Sequence, residues 1–193
     1  MGIVDTVKRE FGKAIRPIRA GHEKVAVHRP ELTAGASIEV SSTAFVEGGA
    51  IPRRYAGDGS DVSPALSWSR VPDRTRSVAV LCEDPDAPFP SPFVHWLVHG
   101  LPAMVHSLPE GVGKSATVPG VPAAHQGSNS GHDTGYMGPM PPPGHGVHHY
   151  YFQVFALDAV LELDESPTRD ELVRAMRGHV LASGSLIGTY VRE

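Results

Sequence analysis

The stretch Leu81–Leu101 reads Leu-Cys-Glu-Asp-Pro-Asp-Ala-Pro, then Phe-Pro-Ser-Pro, then Phe-Val-His-Trp-Leu-Val-His-Gly-Leu. Its apolar beginning is typical of a buried β-strand. This strand delivers two carboxylates, Asp84 and Asp86, into a loop whose prolines restrict the backbone φ angle. A second apolar run then carries His95 and His99. Carboxylates after one strand and imidazoles on the next indicate a functional site.

The composition is that of an ordinary globular domain. The 193 residues are 40% hydrophobic and 20% charged, and the 21 Gly and 18 Pro favour an all-β plan rich in turns. Cys82 is the single cysteine, so the sequence predicts neither a disulfide framework nor a thiolate metal cluster. The sequence has no apolar run of membrane-spanning length and no apolar secretory leader, so we expect a cytoplasmic protein.

Charge is distributed unevenly along the chain. Residues 1–30 contain seven Lys and Arg against three acids, whereas residues 31–193 contain ten against eighteen. The main body is therefore acidic, and we expect no nucleic-acid partner.

Residues 3–19 place apolar side chains three and four positions apart, with Lys and Arg between them, which predicts a basic amphipathic helix. We expect this helix to bury Phe11 and Ile15 against its own body or a second subunit, as in a homodimer. A weak contact with an anionic membrane surface is the alternative. Residues 20–36 read as a linker, so the predicted organisation is an arm and linker over 1–36 and one domain over 37–193.

The predicted strands of the body are short. Candidates lie at residues 65–68, 77–82, 93–101 and 149–157, whereas residues 108–147 read as a long loop. Thr168 and Glu171 form a capping box that begins a late helix, with Val180 on its apolar face and Gly184 at its end. A last strand is expected at 185–191. The predicted fold is an antiparallel β-sandwich with few helices.

Several apparent motifs do not support enzymatic chemistry. Gly111–Ser115 resembles the end of a phosphate-binding loop, but Leu108 occupies the position of the first required glycine. Gly127–Gly131 resembles a nucleophile elbow, but Asn129 stands where serine is required. The eleven histidines include no HExxH pattern, and we predict no metal and no other cofactor. The cluster His145, His148 and His149 has no carboxylate close in sequence, and partners brought near by the fold, including Asp84 and Asp86, stay open.

The loop Asp84-Pro-Asp-Ala-Pro88 and the strand that follows it make a better candidate. On a regular strand His95, Leu97 and His99 share one side. An imidazole facing an aspartate can bind an anion, fix a tautomer or move a proton. An Asp-capped turn with a hydrogen-bonded histidine is the purely structural alternative.

Three motifs occur in the order Asp84-Pro-Asp-Ala-Pro88, Phe93-Val-His-Trp96 and Gly138-Pro-Met-Pro-Pro-Pro-Gly-His-Gly-Val-His-His-Tyr150. With them the chain resembles the phosphatidylethanolamine-binding protein family, in particular its bacterial Raf-kinase-inhibitor-like branch, over roughly residues 38–192. The resemblance implies an antiparallel Greek-key β-sandwich with a small anion-binding pocket. The implied ligand-binding residues are Asp84, Asp86, Ala87, Pro88, His95, Gly138, Pro139, His148 and Tyr150, of which Asp86 would orient the loop.

One departure from the family pattern concerns charge. The family usually has His-Arg-Tyr where this chain has His148-His149-Tyr150, so a permanent positive charge is missing. Binding of a dianion is then expected to strengthen when His149 is protonated.

Three functions remain open at this point. The leading one is a non-enzymatic module that binds a phosphorylated or anionic head group such as phosphoethanolamine, with a possible regulatory role. The second is a kinase or protease inhibitor that binds protein through the Pro-rich stretches Phe89–Pro92 and Pro139–Pro143. The third is a hydrolase-type enzyme that uses His95 and Asp84 as acid and base.

Overall fold

The computed structural model describes residues 2–193 and is mostly β, with one helix near each end. The helices are α1 (Ile3–Ile15) and α2 (Arg169–Met176). The ten strands are β1 (Ala36–Ser37), β2 (Glu39–Ser41), β3 (Leu66–Ser69), β4 (Ser77–Asp84), β5 (Phe93–Pro102), β6 (Ser107–Leu108), β7 (Thr117–Val118), β8 (Val121–Gln126), β9 (His148–Leu157) and β10 (Val180–Tyr190). Four 3-10 turns complete the set: His22–Lys24, Ala26–His28, Pro30–Leu32 and Arg53–Tyr55.

The strands form two sheets. The larger has the order β1-β10-β9-β4-β5-β8-β7, and the smaller has the order β2-β3-β6. The pairing of β1 with β10 is parallel, so the expectation of a purely antiparallel fold is wrong at that edge, although the other strand pairs are antiparallel. The Greek-key connection stays a prediction.

The larger sheet is covered on both faces, which explains why β4 reads as an unbroken apolar run. On one face, residues of β4, β5 and β9 share a cluster with Leu66 and Trp68 of the smaller sheet. On the other face, a second cluster joins Leu81, Leu97 and Phe155 to the buried side of α2. The ends of β4, β5 and β9 meet at the candidate site.

A β-bulge interrupts the alternation of β5 close to that site. Cys82 pairs with Trp96 and Glu83 with Val94, so His95 is an extra residue without a partner on β4. A bulge of this kind redirects the side chains on either side of it.

The bulge separates two side chains that simple alternation places together. Leu97 belongs to the cluster under α2, whereas the His95 ring lies 5.0 Å from the ring of Tyr150, a member of the cluster between the sheets. The prediction that His95 shares a side with Leu97 is therefore wrong, because regular alternation does not continue through a bulge.

The segment 20–36 is packed against the body and is not a free linker. Ala26 and Leu32 are fully buried in the cluster under α2. The backbone N–H of Ala26 donates to Glu83 at 2.7 Å, and that of Val27 donates to Gln153 at 2.6 Å. The boundary at residue 36 stays a prediction, but this segment completes the core on one face of the larger sheet.

Two other predicted elements differ from the structure. The late helix begins with the predicted capping box of Thr168 and Glu171, but it ends near Gly178, whose φ of +78° suits glycine. Val180 therefore begins β10 instead of extending the helix. The predicted loop 108–147 contains β7 and β8, which extend the larger sheet at its edge.

The N-terminal helix forms, but it does not bury the predicted residues against its own body; their burial by a second subunit stays a prediction. Phe11 is 62% exposed and Ile15 only partly buried. The helix instead rests on the body through Gly12, where an added Cβ would collide with the carbonyl oxygen of Pro143. Within residues 2–193, no helix has the length and apolar character required to cross a membrane.

Candidate functional site

A small cavity of about 170 Å³ opens where the loop after β4, the start of β5 and the segment before β9 come together. The side chains around it are largely apolar, with a few polar groups among them. The cavity is lined by Asp84, Ala87, Pro88, Phe89, Phe93, His95, Met137, Met140, Pro141, Pro142, His148 and Tyr150. An apolar wall with few polar groups is the usual construction of a small-ligand site.

His95 presents a hydrogen-bond acceptor to the cavity. Its Nδ1 lies 2.7 Å from the carbonyl oxygen of Met137, and since a carbonyl only accepts, Nδ1 carries the proton. Burial lowers the pKa of His95, although the negative charge of Asp84 opposes this effect. The ring is therefore neutral near pH 7, and its Nε2 offers a lone pair.

His148 is held at both ring nitrogens. Its Nδ1 lies 2.7 Å from Oδ2 of Asp84, and its Nε2 lies 2.6 Å from Nδ1 of His145. The Nε2 of His145 in turn lies 3.1 Å from the carbonyl oxygen of Ile15 in α1. A buried chain of hydrogen bonds thus connects the cavity with the N-terminal helix.

The carbonyl oxygen of Ile15 fixes the direction of one bond in this hydrogen-bond chain. Because a carbonyl oxygen only accepts, Nε2 of His145 donates to it, and Nδ1 of a neutral His145 can then accept from Nε2 of His148. Burial, followed by the nearby His148, lowers the pKa of His145, which favours this neutral form.

Among the described residues that line the cavity, Tyr150 carries a buried polar atom without a partner. Its hydroxyl is buried and has no hydrogen-bond partner among the described residues. Burial, followed by the charge of Asp84, raises the pKa of this phenol well above its usual value, so it stays protonated. A buried hydroxyl without a partner is costly, and a ligand atom can satisfy it.

Asp86 lies outside the cavity and is fully engaged by neighbouring groups. Oδ2 accepts from the backbone N–H of His149 and contacts its Nδ1, both at 2.7 Å, while Oδ1 contacts Arg19 and, at 3.2 Å, His22. Burial acts to raise the pKa of Asp86, but the bonds from His149 and Arg19 outweigh it and lower the pKa. Asp86 holds the loop, as the resemblance implies.

Asp86 also belongs to a group that could hold a metal ion. Ligand atoms of His22, Asp86 and His149 lie within 4.8 Å of one another. Two imidazoles and one carboxylate are a plausible ligand set for a transition metal. However, the guanidinium of Arg19 binds Oδ1 of the same carboxylate, so a cation there would have to displace it.

The sequence-based residues divide into two groups. The residues that line the cavity are Asp84, Ala87, Pro88, His95, His148 and Tyr150. The cavity lining does not include Asp86, Gly138 or Pro139. Gly138 donates its N–H to Asp61 at 2.6 Å, and Pro139 accepts from the N–H of Gly57 at 2.9 Å, so both hold the loop in place.

Sequence reasoning missed the apolar residues that make up the rest of the wall and the histidine that supports His148. The missed residues are Phe89, Phe93, Met137, Met140, Pro141, Pro142 and His145. The available signal was their position, since most of them lie inside the quoted motifs and Phe89 and Met137 directly adjoin them. Their direction towards the cavity depends on the loop conformation and is not visible in the sequence.

The site as a whole offers one acceptor at His95, one hydroxyl at Tyr150 and an apolar wall. His148 has no free nitrogen for a ligand, because both of its ring nitrogens are engaged within the protein. Among the described residues, the cavity lining includes no Lys or Arg.

A β-rich body with a small cavity at the ends of its central strands defines the class of this protein. The family model described as phosphatidylethanolamine-binding protein matches residues 41–191. The chain belongs to this family. Residues 1–40, including α1, precede the matched range.

Curated relatives and solved structures match most of the chain. The chain is 40% identical over 155 residues to the UPF0098 protein of Methanothermobacter thermautotrophicus, covering 80% of this chain and 99% of that one. A putative phosphatidylethanolamine-binding protein homolog from Chlamydia trachomatis is 37% identical with a TM-score of 0.72, covering 82% of this chain and all of that one. YbcL of E. coli, described as a new member of the mammalian family, is 30% identical with a TM-score of 0.77 and the same coverage.

Proposed function

We propose that this protein is a non-enzymatic module that binds a small phosphorylated head group, with phosphoethanolamine as the model ligand. The observation that carries the proposal is the orphan hydroxyl of Tyr150 beside the free acceptor Nε2 of His95 in one apolar cavity. One group can donate to a phosphate oxygen, and the other can accept from an ammonium, a hydroxyl or a protonated phosphate oxygen.

The engagement of Asp84 supports this choice. Its carboxylate accepts from the backbone N–H of Asp86 and contacts His148, so both of its oxygens already have partners within the protein. A ligand with both a donor and an acceptor satisfies the site better than a purely anionic one, because His95 offers a lone pair and no N–H.

The proposal is tested by calorimetric titration of phosphoethanolamine into the wild type, His95→Ala and His106→Ala. His106 is an exposed histidine outside the cavity and serves as a matched control. We expect equal binding by the wild type and His106→Ala, and an affinity at least about ten-fold weaker for His95→Ala. Equal heats from all three proteins would refute the role of the cavity.

A protein-interaction function is the second candidate, and one observation supports it. Phe89 at the rim of the cavity is 51% exposed, and Pro90 and Ser91 after it are exposed too. The other Pro-rich stretch is less available, since Pro139 and Pro141 are buried. Loss of a kinase or protease partner on changing Pro90 and Ser91, which do not line the cavity, with phosphoethanolamine binding unaffected, would favour this candidate.

The hydrolase alternative gains little support from the geometry. The carboxylate of Asp84 already accepts from the backbone N–H of Asp86 at 2.8 Å and contacts His148. It therefore does not polarise His95, whose Nδ1 is directed to a backbone carbonyl.

A further inference from the structure

The N-terminal helix presents its apolar stripe away from the body. Val4, Val7 and Phe11 follow one another at helical spacing and are 65%, 62% and 62% exposed. Ile18, just beyond the helix, is 54% exposed. A surface helix normally buries such a stripe, so the arrangement is the reverse of the usual one.

The opposite side of the helix faces the body, and its contacts are polar or made by backbone. Gly12 sits against the backbone of Pro143 without room for a Cβ. Arg16 donates to the carbonyl oxygen of Gly144 at 2.8 Å, and the carbonyl oxygen of Ile15 contacts His145. These contacts hold the helix with its stripe outward, so the exposure of the stripe is part of the docked geometry.

Positive charge predominates in the segment that carries the stripe. Residues 3–19 contain five Lys and Arg against two acids, although Arg16 and Arg19 are engaged with the body. Lys8 is exposed, and Lys13 is half-exposed, although it pairs with Glu10 at 2.7 Å. An exposed apolar stripe on a helix with exposed lysines suits a surface that is apolar beneath and negatively charged above, which is the surface of an anionic lipid bilayer.

We propose that α1 docks the protein on anionic membrane surfaces through Val4, Val7, Phe11 and Ile18. A second copy of the chain fits the same face less well. Four side chains are far fewer than the roughly 20 residues per side of a standard protein interface. Packing α1 against α1 would also bring like-charged Lys8 side chains together, whereas anionic lipid pairs with them.

The helix lies beside the candidate site. Pro143–His145, on which it rests, directly follow residues that line the cavity, and Arg19 binds both Asp86 and the carbonyl oxygen of Val147. Docking through the exposed face of α1 does not require a ligand in the cavity.

The proposal is tested by co-sedimentation of the full chain with phosphatidylcholine vesicles, prepared with and without phosphatidylglycerol. We expect binding only to the anionic vesicles and weaker binding as salt is added. The double variant Val7→Ser/Phe11→Ser should bind at least about ten-fold more weakly, and Lys8→Glu should also weaken binding. Met104→Ser is the matched control, because Met104 is an 84% exposed apolar residue outside α1.

Two outcomes would overturn the proposal. The first is equal vesicle binding, or none, by the wild type and Val7→Ser/Phe11→Ser. The second is a dimer in sedimentation that this double variant dissociates, with no vesicle binding by the wild type, because a second copy then covers the stripe. Val7 and Phe11 do not line the cavity, so the double variant should bind phosphoethanolamine as the wild type does. Titrating phosphoethanolamine into the double variant therefore separates the test of α1 from the test of the cavity.

Discussion

The Nδ1 of His148 lies 2.7 Å from Oδ2 of Asp84, and both side chains are almost completely buried, with 1% and 4% exposure. His145 holds the other nitrogen of His148 and contacts the carbonyl oxygen of Ile15 in α1. The pair is therefore fixed from both ends. Both nitrogens of His148 are engaged within the protein, which leaves ligand recognition to His95 and Tyr150.

Replacing His145 should weaken the support of this pair. His145→Leu leaves the buried Nε2 of His148 and the carbonyl oxygen of Ile15 without their partner. We expect a loss of about 1–3 kcal/mol in the free energy of unfolding. Urea unfolding measures it, with His106→Leu as an exposed control; equal losses in the two variants would show that the chain of hydrogen bonds contributes nothing.

Tyr150→Phe should separate ligand binding from stability. It removes a buried hydroxyl without a partner, so the ligand-free protein should be as stable as the wild type or more stable by about 1 kcal/mol. Phosphoethanolamine should bind about ten-fold more weakly.

Tyr136→Phe is the matched control for this change. The Tyr136 hydroxyl donates to the carbonyl oxygen of Tyr55 at 2.9 Å, so its removal should cost about 1 kcal/mol of stability and leave binding unchanged. Loss of stability in Tyr150→Phe, with retained affinity, would contradict the assignment of this hydroxyl to a ligand.

Ligand binding should require neutral His95. Its folded-state pKa lies below the ordinary 6.5, so Nε2 remains an acceptor at neutral pH and is lost as the pH falls through that lowered pKa. The contribution of His95 to the affinity should therefore be constant above pH 6.5 and decline at lower pH. Calorimetry across this range measures it.

The phosphate group of the ligand itself titrates near pH 6, about the pKa of a phosphate monoester. Its titration must therefore be separated from that of His95 by comparison with a variant. His95→Gln keeps a polar side chain that does not titrate. The ratio of wild-type to His95→Gln affinity should fall in acid. A constant ratio would show that the His95 lone pair does not contact the ligand.

His99 should contribute to acid sensitivity of the fold. Burial, followed by the neighbouring His125, lowers the pKa of His99 to about 4. Between pH 6.5 and about 4 the unfolded chain binds a proton at this residue and the native protein does not. Stability should therefore fall with decreasing pH across this window, by up to about 3 kcal/mol.

His99→Phe tests this contribution. The variant should lose less stability than the wild type between neutral pH and pH 4, as measured by urea unfolding at each pH. The same slope in both proteins would assign the acid sensitivity to other groups.

The ion pair of Glu83 and Arg169 should stabilise the packing of residues 20–36 and α2. Arg169 Nε lies 2.7 Å from the fully buried carboxylate of Glu83. Arg169→Met leaves that charge unpaired and should cost about 3 kcal/mol or more in thermal or urea unfolding. Arg177→Met removes a more exposed pair with Glu31 and should cost less stability than Arg169→Met.

Local sequence patterns predicted the central strands, because buried strands and capping boxes leave short-range signals. The structure has β4, β5 and β9 close to their predicted bounds, and α2 begins at the predicted capping box. Asp84, His95, His148 and Tyr150 came from family motifs, and the structure brings all four to one cavity.

Other features depend on contacts between residues far apart in the chain. The bulge at His95 arises where β4 and β5 pair, and His145 acquires its role only when α1 and β9 approach the same loop. Phe11 shows the same limit, since helical periodicity predicts a stripe but not what covers it. Gly12 and Arg16 match the surface at Pro143–Gly144, so the polar side of α1 faces the body.

The sequence by itself therefore determined the family, the β-rich body and the identity of the principal cavity residues. Only the tertiary structure decided which nitrogens and hydroxyls remain free in the cavity, and in which direction the N-terminal helix faces. The physical reason is that periodicity and motifs report neighbours along the chain, whereas hydrogen-bond saturation and the orientation of a packed helix depend on partners that the fold brings together.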